Sequence, residues 1–205
     1  GDCGGSAVAD ECGECNGDNA CLVANISLGD FDSSGSLEVL YDFGSDVAGF
    51  QFDVSGLALT GGSGGAAGDA GFTVSTGSST VIGFSFSGAV ISSSSGVLTV
   101  LTFNSITDSS TDISLGSGAL TGPGGNEYDA VFNGIIDHGA PDCAGTYYGS
   151  ALEDECGVCN GDGAAENFDC DGNCVVDTDC AGDCGGSAVA DECGVCNGDG
   201  AAENF

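Results

Sequence analysis

The chain has 205 residues with no lysine and no arginine against 32 aspartates and glutamates, a formal net charge of −32 with its one histidine neutral. A surface of that sign excludes the basic patch that nucleic acid or anionic lipid would need, and no apolar run is long enough to cross a bilayer. The hydrophobic fraction of 41% still separates the chain from acidic disordered tails, so a buried core is expected. Self-repulsion of this size opposes a compact state and has to be relieved by screening salt, by bound cations, or by both. The composition therefore points to a cation-rich, extracellular setting.

The 13 cysteines divide the chain. Residues 1–21 hold Cys3, Cys12, Cys15 and Cys21; residues 22–142 hold none; residues 143–205 hold Cys143, Cys156, Cys159, Cys170, Cys174, Cys180, Cys184, Cys193 and Cys196. The two flanks also carry more than half of the acids in less than half of the length. Dense cysteine in short polar stretches indicates disulfides in an oxidising compartment. The pairs Cys12/Cys15, Cys156/Cys159 and Cys193/Cys196 have zinc-ribbon spacing, but zinc modules are rich in lysine and arginine, and disulfides are the reading preferred here. They should pair within each flank. The odd number of C-terminal cysteines leaves at least one whose partner is expected beyond Phe205.

The flanks are repeats. Residues Glu155–Phe168 recur as Glu192–Phe205 at an offset of 37, and Gly1–Asp18 matches Gly182–Asp199 except at Glu14/Val195. Repetition at a fixed period marks an array of units: a cysteine-rich acidic repeat at 1–21, a globule at 22–142, and two cysteine-rich acidic repeats at 143–205.

The globule reads as all-β. Alternation in Phe50-Gln51-Phe52-Asp53-Val54, Phe84-Ser85-Phe86 and Leu101-Thr102-Phe103 has the period of a half-buried strand. In chain order, strands are predicted at Leu37–Phe43, Phe50–Val54, Phe72–Thr76, Val81–Phe86, Val97–Phe103, Asp112–Leu115 and Tyr128–Ile136, separated by Gly/Ser/Asp turns. No stretch keeps helical periodicity over three turns. Phe50, Phe52, Phe84, Phe86 and Phe103 are predicted to be core. Short strands with frequent turns indicate a sandwich or barrel.

For metal binding, the strongest candidate is Asp169-Cys170-Asp171-Gly172-Asn173 followed by Asp177 and Asp179. Alternate Asp and Asn oxygens around a glycine bend suit calcium, which takes six to eight hard oxygens, and Cys170 with Cys174 could close the loop. The pairs Asn160/Asp162, Asn197/Asp199 and Asn16/Asp18 either add ligands or form plain turns. Asp30, Asp32 and Gly35 imitate the start of an EF-hand loop, but its twelfth position is Tyr41, which cannot supply the bidentate ligand; a turn between strands fits better. His138 reads as a linker residue. No nucleophile-elbow pattern occurs, and with 32 acids no carboxylate pair is informative, so an enzyme is not expected.

Val47-Ala48-Gly49-Phe50-Gln51-Phe52-Asp53-Val54 resembles the early strand of cohesin-type domains, and Gly96-Val97-Leu98-Thr99-Val100-Leu101-Thr102-Phe103 is similar to their GxLxxLxF strand. Gly125-Asn126-Glu127 through Asn133-Gly134 resembles their closing hairpin and last strand. The resemblance implies a nine-stranded jelly-roll β-sandwich that is non-catalytic; cohesins of cellulosomes bind dockerin modules. The flanks resemble thrombospondin type-3-like and DECGVCxGD repeats of secreted modular proteins, which implies calcium and disulfides together.

The function expected from these features is a structural repeat unit of a secreted fibre, stalk or matrix protein that self-associates or continues as tandem repeats. The alternative is a cell-surface binding module for a dockerin-like partner or a glycan, which an exposed aromatic patch would favour. One expectation follows from charge alone. Raising salt shortens the screening length from ~30 Å at 0.01 M to ~8 Å at physiological strength. The thermal midpoint, followed by circular dichroism, should rise over that range; a flat or falling midpoint would show that self-repulsion is not what limits stability.

Overall fold

Side-chain alternation and strand pairing build a two-layer sandwich. The computed structural model describes residues 3–9, 13, 15–17 and 23–200, and the chain divides into two units, Gly1–Pro141 and Asp142–Phe205. In chain order the first unit contains β1 (Val23–Asp32), β2 (Ser36–Phe43), β3 (Gly49–Val54), β4 (Leu57–Ser63), α1 (Gly65–Asp69), β5 (Thr73–Thr76), β6 (Thr80–Phe84), β7 (Ser95–Ile106), β8 (Ser110–Ser114), β9 (Leu120–Thr121), β10 (Asp129–Asn133) and β11 (Ile135–Asp137). One sheet has the order β10-β1-β2-β7-β4, the other β11-β8-β3-β6-β5, and β9 also pairs with β3. The β1–β10 pairing is parallel; the other strand pairs are antiparallel.

The period of two decides which side chains meet between the sheets. Leu37, Val39, Tyr41 and Phe43 of β2 face inward, as do Phe50, Phe52 and Val54 of β3. Ala24 and Ile26 of β1, Val81 of β6, and Leu98, Leu101 and Phe103 of β7 complete the middle of the core. Phe52 lies 5.6 Å from Phe50 and 6.2 Å from Phe132 between ring centroids, distances at which aromatic pairs attract beyond their buried area. On β7, Leu98 and Thr99 are both buried because the register with β2 shifts between Val39 and Leu40. The Thr99 hydroxyl donates to the Ser63 carbonyl at 3.2 Å, so this buried polar group is satisfied.

Phe84 and Phe86 correct the sequence reading. Phe84 is half-buried and Phe86 is 89% exposed. Their shared parity was right, but the face was wrong: Val81 and Gly83 are the inward residues of β6. Gly83 pairs with Phe50 across the strands, and the Phe50 ring occupies the space that a Cβ at position 83 would take. The core aromatic thus comes from β3, and every other residue of β6 is turned to the opposite face. After Phe84 the chain leaves the sheet in a turn closed by the Ser85 hydroxyl, which accepts the Ala89 N–H at 3.2 Å.

Other boundaries moved as well. Tyr128–Ile136 is two short strands separated by Gly134, and β1, β4 and β9 were not foreseen. Asp30–Tyr41 is two paired strands around a turn in which the Asp32 carboxylate accepts the Ser34 N–H at 2.8 Å, so the EF-hand imitation is a hairpin. His138 is a core residue, not a linker: it is 6% exposed, its Nε2 lies 2.8 Å from the Thr111 hydroxyl, and its ring sits 5.0 Å from that of Phe31. Burial holds its pKa below the ordinary value, with the Asp137 carboxylate acting in the other direction.

The two phenylalanine environments predict opposite mutational outcomes. Phe52→Ala should cost ~3–5 kcal/mol of unfolding free energy through cavity formation, whereas Phe86→Ala should stay within ~0.5 kcal/mol of wild type. Chemical denaturation of the two variants checks this; equal losses would place Phe86 in the core after all.

Candidate functional site

The outer face of the second sheet carries an unusual set of side chains. Across the pairing register, Thr73 of β5, Phe84 of β6, Gly49 of β3 and Thr121 of β9 form one row, and Ser75, Ile82 and Gln51 form the next. Gly49 places no side chain beside Phe84, and the Thr121 hydroxyl lies where a Cβ at position 49 would meet it. Phe86 meets Phe84 edge to face, with centroids 4.9 Å apart and planes at 88°. Ile82 is 38% exposed. The result is a shallow apolar platform set among hydroxyl and amide groups. At its margin Asp53 accepts a hydrogen bond from the Thr80 hydroxyl at 2.8 Å. Isolated surface apolar residues need no explanation, but an exposed aromatic pair formed by the last residue of a strand and the turn that follows it is what contact surfaces use.

The second unit is built on a different principle. Five aspartates, Asp142, Asp154, Asp169, Asp179 and Asp191, each start a closed loop. Each donates its own N–H to the carbonyl four residues on, at 2.9–3.0 Å, and each carbonyl accepts the N–H of the glycine three residues on, at 2.8–3.0 Å. The carboxylate then fills the loop. In Asp154, Oδ1 accepts the N–H groups of Cys156 and Val158 and Oδ2 that of Gly163, at 2.8–2.9 Å. Asp142, Asp179 and Asp191 repeat the same pattern two, four and nine residues on. In Asp169 the side-chain amide of Asn173 replaces the last donor. Gly149, Gly161, Gly186 and Gly198, seven residues after their aspartates, lie so close to the carboxylate that any Cβ would fall on it.

Donation to the ionised form lowers each of these pKa values below the ordinary carboxylate range. The first cause is the Thr146 N–H for Asp142, the Val158 N–H for Asp154, the Asn173 side chain for Asp169, the Ala188 N–H for Asp179 and the Val195 N–H for Asp191.

Disulfides tie the loops together. Cys143 bonds Cys159, Cys156 bonds Cys170, Cys174 bonds Cys184, and Cys180 bonds Cys196; in the first flank Cys3 bonds Cys15. All lie within their own flanks, as expected. Cys170 and Cys174 do not close one loop, however; each reaches to a different neighbour. The two cysteines of the Cys156/Cys159 pair likewise go to separate partners, which removes the zinc-ribbon reading for that pair.

The predicted calcium residues are distributed rather than gathered. Asp169 and Asp179 are loop aspartates whose oxygens are engaged by N–H donors, and Asn173 is itself one of the donors to Asp169. Asp171, Asp177, Asp162 and Asp199 are exposed. Asn16, Asn160 and Asn197 occupy left-handed turn positions with φ of 53–54°. Asp18 lies outside the described residues, as do Cys12 and Cys21. Among the described residues no group of three or more His, Cys, Asp or Glu side chains is assembled to hold a metal ion. Asp142, Asp154 and Asp191 were not foreseen; the signal for them is the recurring Asp-x-x-Gly-x, with a second glycine four residues later.

No protein-family model matches the chain, and no curated protein is similar to it. Solved structures do match. The sandwich is similar to cohesin domains. A non-cellulosomal cohesin from the hyperthermophilic archaeon Archaeoglobus fulgidus shares 16% identity, covering 56% of this chain and 89% of its own, with a TM-score of 0.41. The complex of a CaDoc0917 variant with CaCohA2 at pH 5.5 contains a chain with 14% identity, covering 56% of this chain and 98% of its own, with a TM-score of 0.43.

The loop geometry sets the response of the second unit to acid. A folded-state pKa held below the unfolded value gives stability that is present above the unfolded carboxylate pKa of about 3.9 and is lost as pH falls through the folded value. The N–H resonances of Gly163, Ala188 and Gly200 should therefore titrate below pH ~3.9, and hydrogen exchange at these sites should be unaffected by a calcium chelator. Exchange that accelerates on chelation would show that bound calcium helps to hold the loops.

Proposed function

We propose that the sandwich is a non-catalytic protein-binding module of a secreted or cell-surface protein, with Ile82, Phe84 and Phe86 as the centre of its contact face. The observation that carries this reading is the 89% exposure of Phe86, fixed edge-on against Phe84. Buried aromatic anchors dominate binding energy at protein interfaces, and here the anchors stand on strand and turn positions that need no rearrangement before contact. The platform bears no cation, since the chain has no lysine or arginine. A partner with basic side chains around an apolar centre is complementary to it. A dockerin-like module is the partner class to try first. The five disulfides described support the extracellular setting.

Catalysis fits poorly with a shallow hollow in the second unit. Its walls include Asp154, Val158, Ala164, Phe168 and Asp169. Both carboxylates there have lowered pKa values, the opposite of what a general acid at neutral pH requires.

The repeat-unit reading keeps one specific support: the same aspartate loop recurs five times within the second unit, so that unit suits a stem or spacer. Stem and binding module are compatible roles for one chain.

Titration calorimetry with a panel of recombinant dockerin modules tests the proposal. Substituting Phe84 and Phe86 together by serine should weaken binding by roughly 2 kcal/mol or more, about thirtyfold, with the thermal midpoint little changed. Undiminished binding by the double variant, or stacking of a glycan in place of any protein partner, would overturn it.

A further inference from the structure

The sandwich has a cleft built from other residues than the Phe84–Phe86 pair. It holds about 400 Å³ and lies between α1, β2 and the segment 90–94 that precedes β7, a volume within the range of small-ligand sites. Ala66, Ala70 and Ile91 give it apolar walls; Tyr41, Asp69 and Ser94 bring polar groups to it. Those walls stand before any ligand arrives. Ile91 exchanges two backbone hydrogen bonds with Val47, both at 2.8 Å, the Ser93 N–H donates to Asp46 Oδ1 at 2.9 Å, and the Phe43 N–H donates to the Ser94 carbonyl at 2.9 Å. On the other side the Ala70 N–H donates to the Ala66 carbonyl at 3.0 Å, and the fully buried Ala67 seats α1 in the core.

Two polar groups of this cleft have no partner in the fold. Tyr41 is only 8% exposed, with its ring packed 4.7 Å from that of Phe43 between centroids, yet its hydroxyl bonds none of the described residues. A buried tyrosine ordinarily finds a partner for its O–H. No fully buried side-chain oxygen or nitrogen among the described residues is left without one. The Tyr41 hydroxyl therefore reaches accessible space, and the cleft that Tyr41 lines is that space. Asp69, the last residue of α1, likewise has no hydrogen bond or ion pair among the described residues. Asp46 and Asp53, by contrast, are engaged by the Ser93 N–H and the Thr80 hydroxyl.

We propose that this cleft binds a primary alkylammonium group, carried by a lysine side chain of a partner or by a free alkylamine. A chain of net charge −32 with no lysine or arginine excludes an anion and draws cations. An ammonium has three N–H donors and no acceptor. The Asp69 carboxylate, the Tyr41 hydroxyl oxygen and the Ser94 hydroxyl oxygen are acceptors for it, and Ala66, Ala70 and Ile91 cover the methylene stem, as apolar surfaces do for lysine. The burial of Tyr41 rules out the rivals. A sugar needs an open ring face for its C–H groups, and a methylated ammonium needs aromatic faces around it; here the ring is covered and only the hydroxyl is offered. A guanidinium, with five donors in a rigid plane, suits a flat bidentate partner rather than acceptors on three separate segments.

The test is a titration of the whole chain with n-butylammonium, followed by methyl NMR in physiological salt, where screening to ~8 Å suppresses diffuse counterion binding. The methyl resonances of Ala66, Ala70 and Ile91 should shift along one saturable curve. Asp69→Asn should weaken binding about tenfold, as loss of a hydrogen bond to a charged group does, and Tyr41→Phe several-fold. Both variants keep the shape of the side chain, and circular dichroism checks that they fold. Shifts spread evenly over the acidic surface and unchanged in Asp69→Asn would overturn the proposal. So would tetramethylammonium, n-butylguanidinium or a methyl hexoside that fills the cleft as tightly as n-butylammonium. Two further ligands separate the sources: tighter binding of an acetylated lysine amide identifies a partner's side chain, and tighter binding of spermidine identifies a free amine. Serine at positions 84 and 86 should leave this titration unchanged, so its outcome is independent of the platform's.

Discussion

Without a single lysine or arginine, every carboxylate of this chain must find its partner among backbone N–H groups, hydroxyls, amides or water. The second unit answers that constraint with one device used five times. Each loop aspartate collects donors from the residues two and four positions on, and four of them add a donor nine positions on. The anion replaces the apolar side chain that would otherwise organise a small fold. Val158, Val175, Val176, Val189 and Val195 all remain exposed, so the second unit is held by main-chain hydrogen bonds and cross-links rather than by a core. Small modules without a sufficient core rely on such staples. Cys143, Cys156, Cys170 and Cys180 sit one or two residues after the loop aspartates, so their disulfides join loops that the carboxylates have already shaped.

The sandwich obeys the opposite rule. Its interior is apolar and aromatic, and its few buried polar groups are paired, Thr99 with the Ser63 carbonyl and Thr111 with His138. The only histidine is thus spent inside the core, where burial lowers its pKa.

Much of this was legible in the sequence, because the signals were local. Period-two alternation located β3 and β7, cysteine spacing located the flanks, and the 37-residue repeat announced that the flanks were built from one repeated plan. What escaped was set by contacts between distant residues. The parity of Phe84 and Phe86 was visible, but their face depended on Phe50 filling the space above Gly83 from the neighbouring strand. β4 contains Gly61 and Gly62 and reads as a turn; pairing with β7 makes it a strand. His138 looked like a linker because the partner that buries it, Thr111, lies 27 residues away. The aspartate loops were half-legible: an Asp-rich turn shows its oxygens in the sequence and conceals the N–H groups that fold back onto them.

The same hydrogen bonds bear on chemical ageing. Asn-Gly and Asp-Gly pairs are the weak points of a polypeptide, because the glycine nitrogen can attack the preceding side chain and close a succinimide ring. The second unit contains Asn160-Gly161, Asp162-Gly163, Asp171-Gly172, Asn197-Gly198 and Asp199-Gly200. In every one the glycine N–H is already donated. Gly161 and Gly198 bond the carbonyls of Val158 and Val195 at 3.1 Å, and Gly172 bonds the Asp169 carbonyl at 3.0 Å. Gly163 and Gly200 bond the carboxylates of Asp154 and Asp191 at 2.8 and 3.0 Å. A nitrogen held in this way must lose its proton next to an oxygen lone pair or a full negative charge before it can attack. Folding therefore slows the clock that these dipeptides would otherwise set, and a unit rich in the residues most prone to isomerise is made durable by the loops that those residues build.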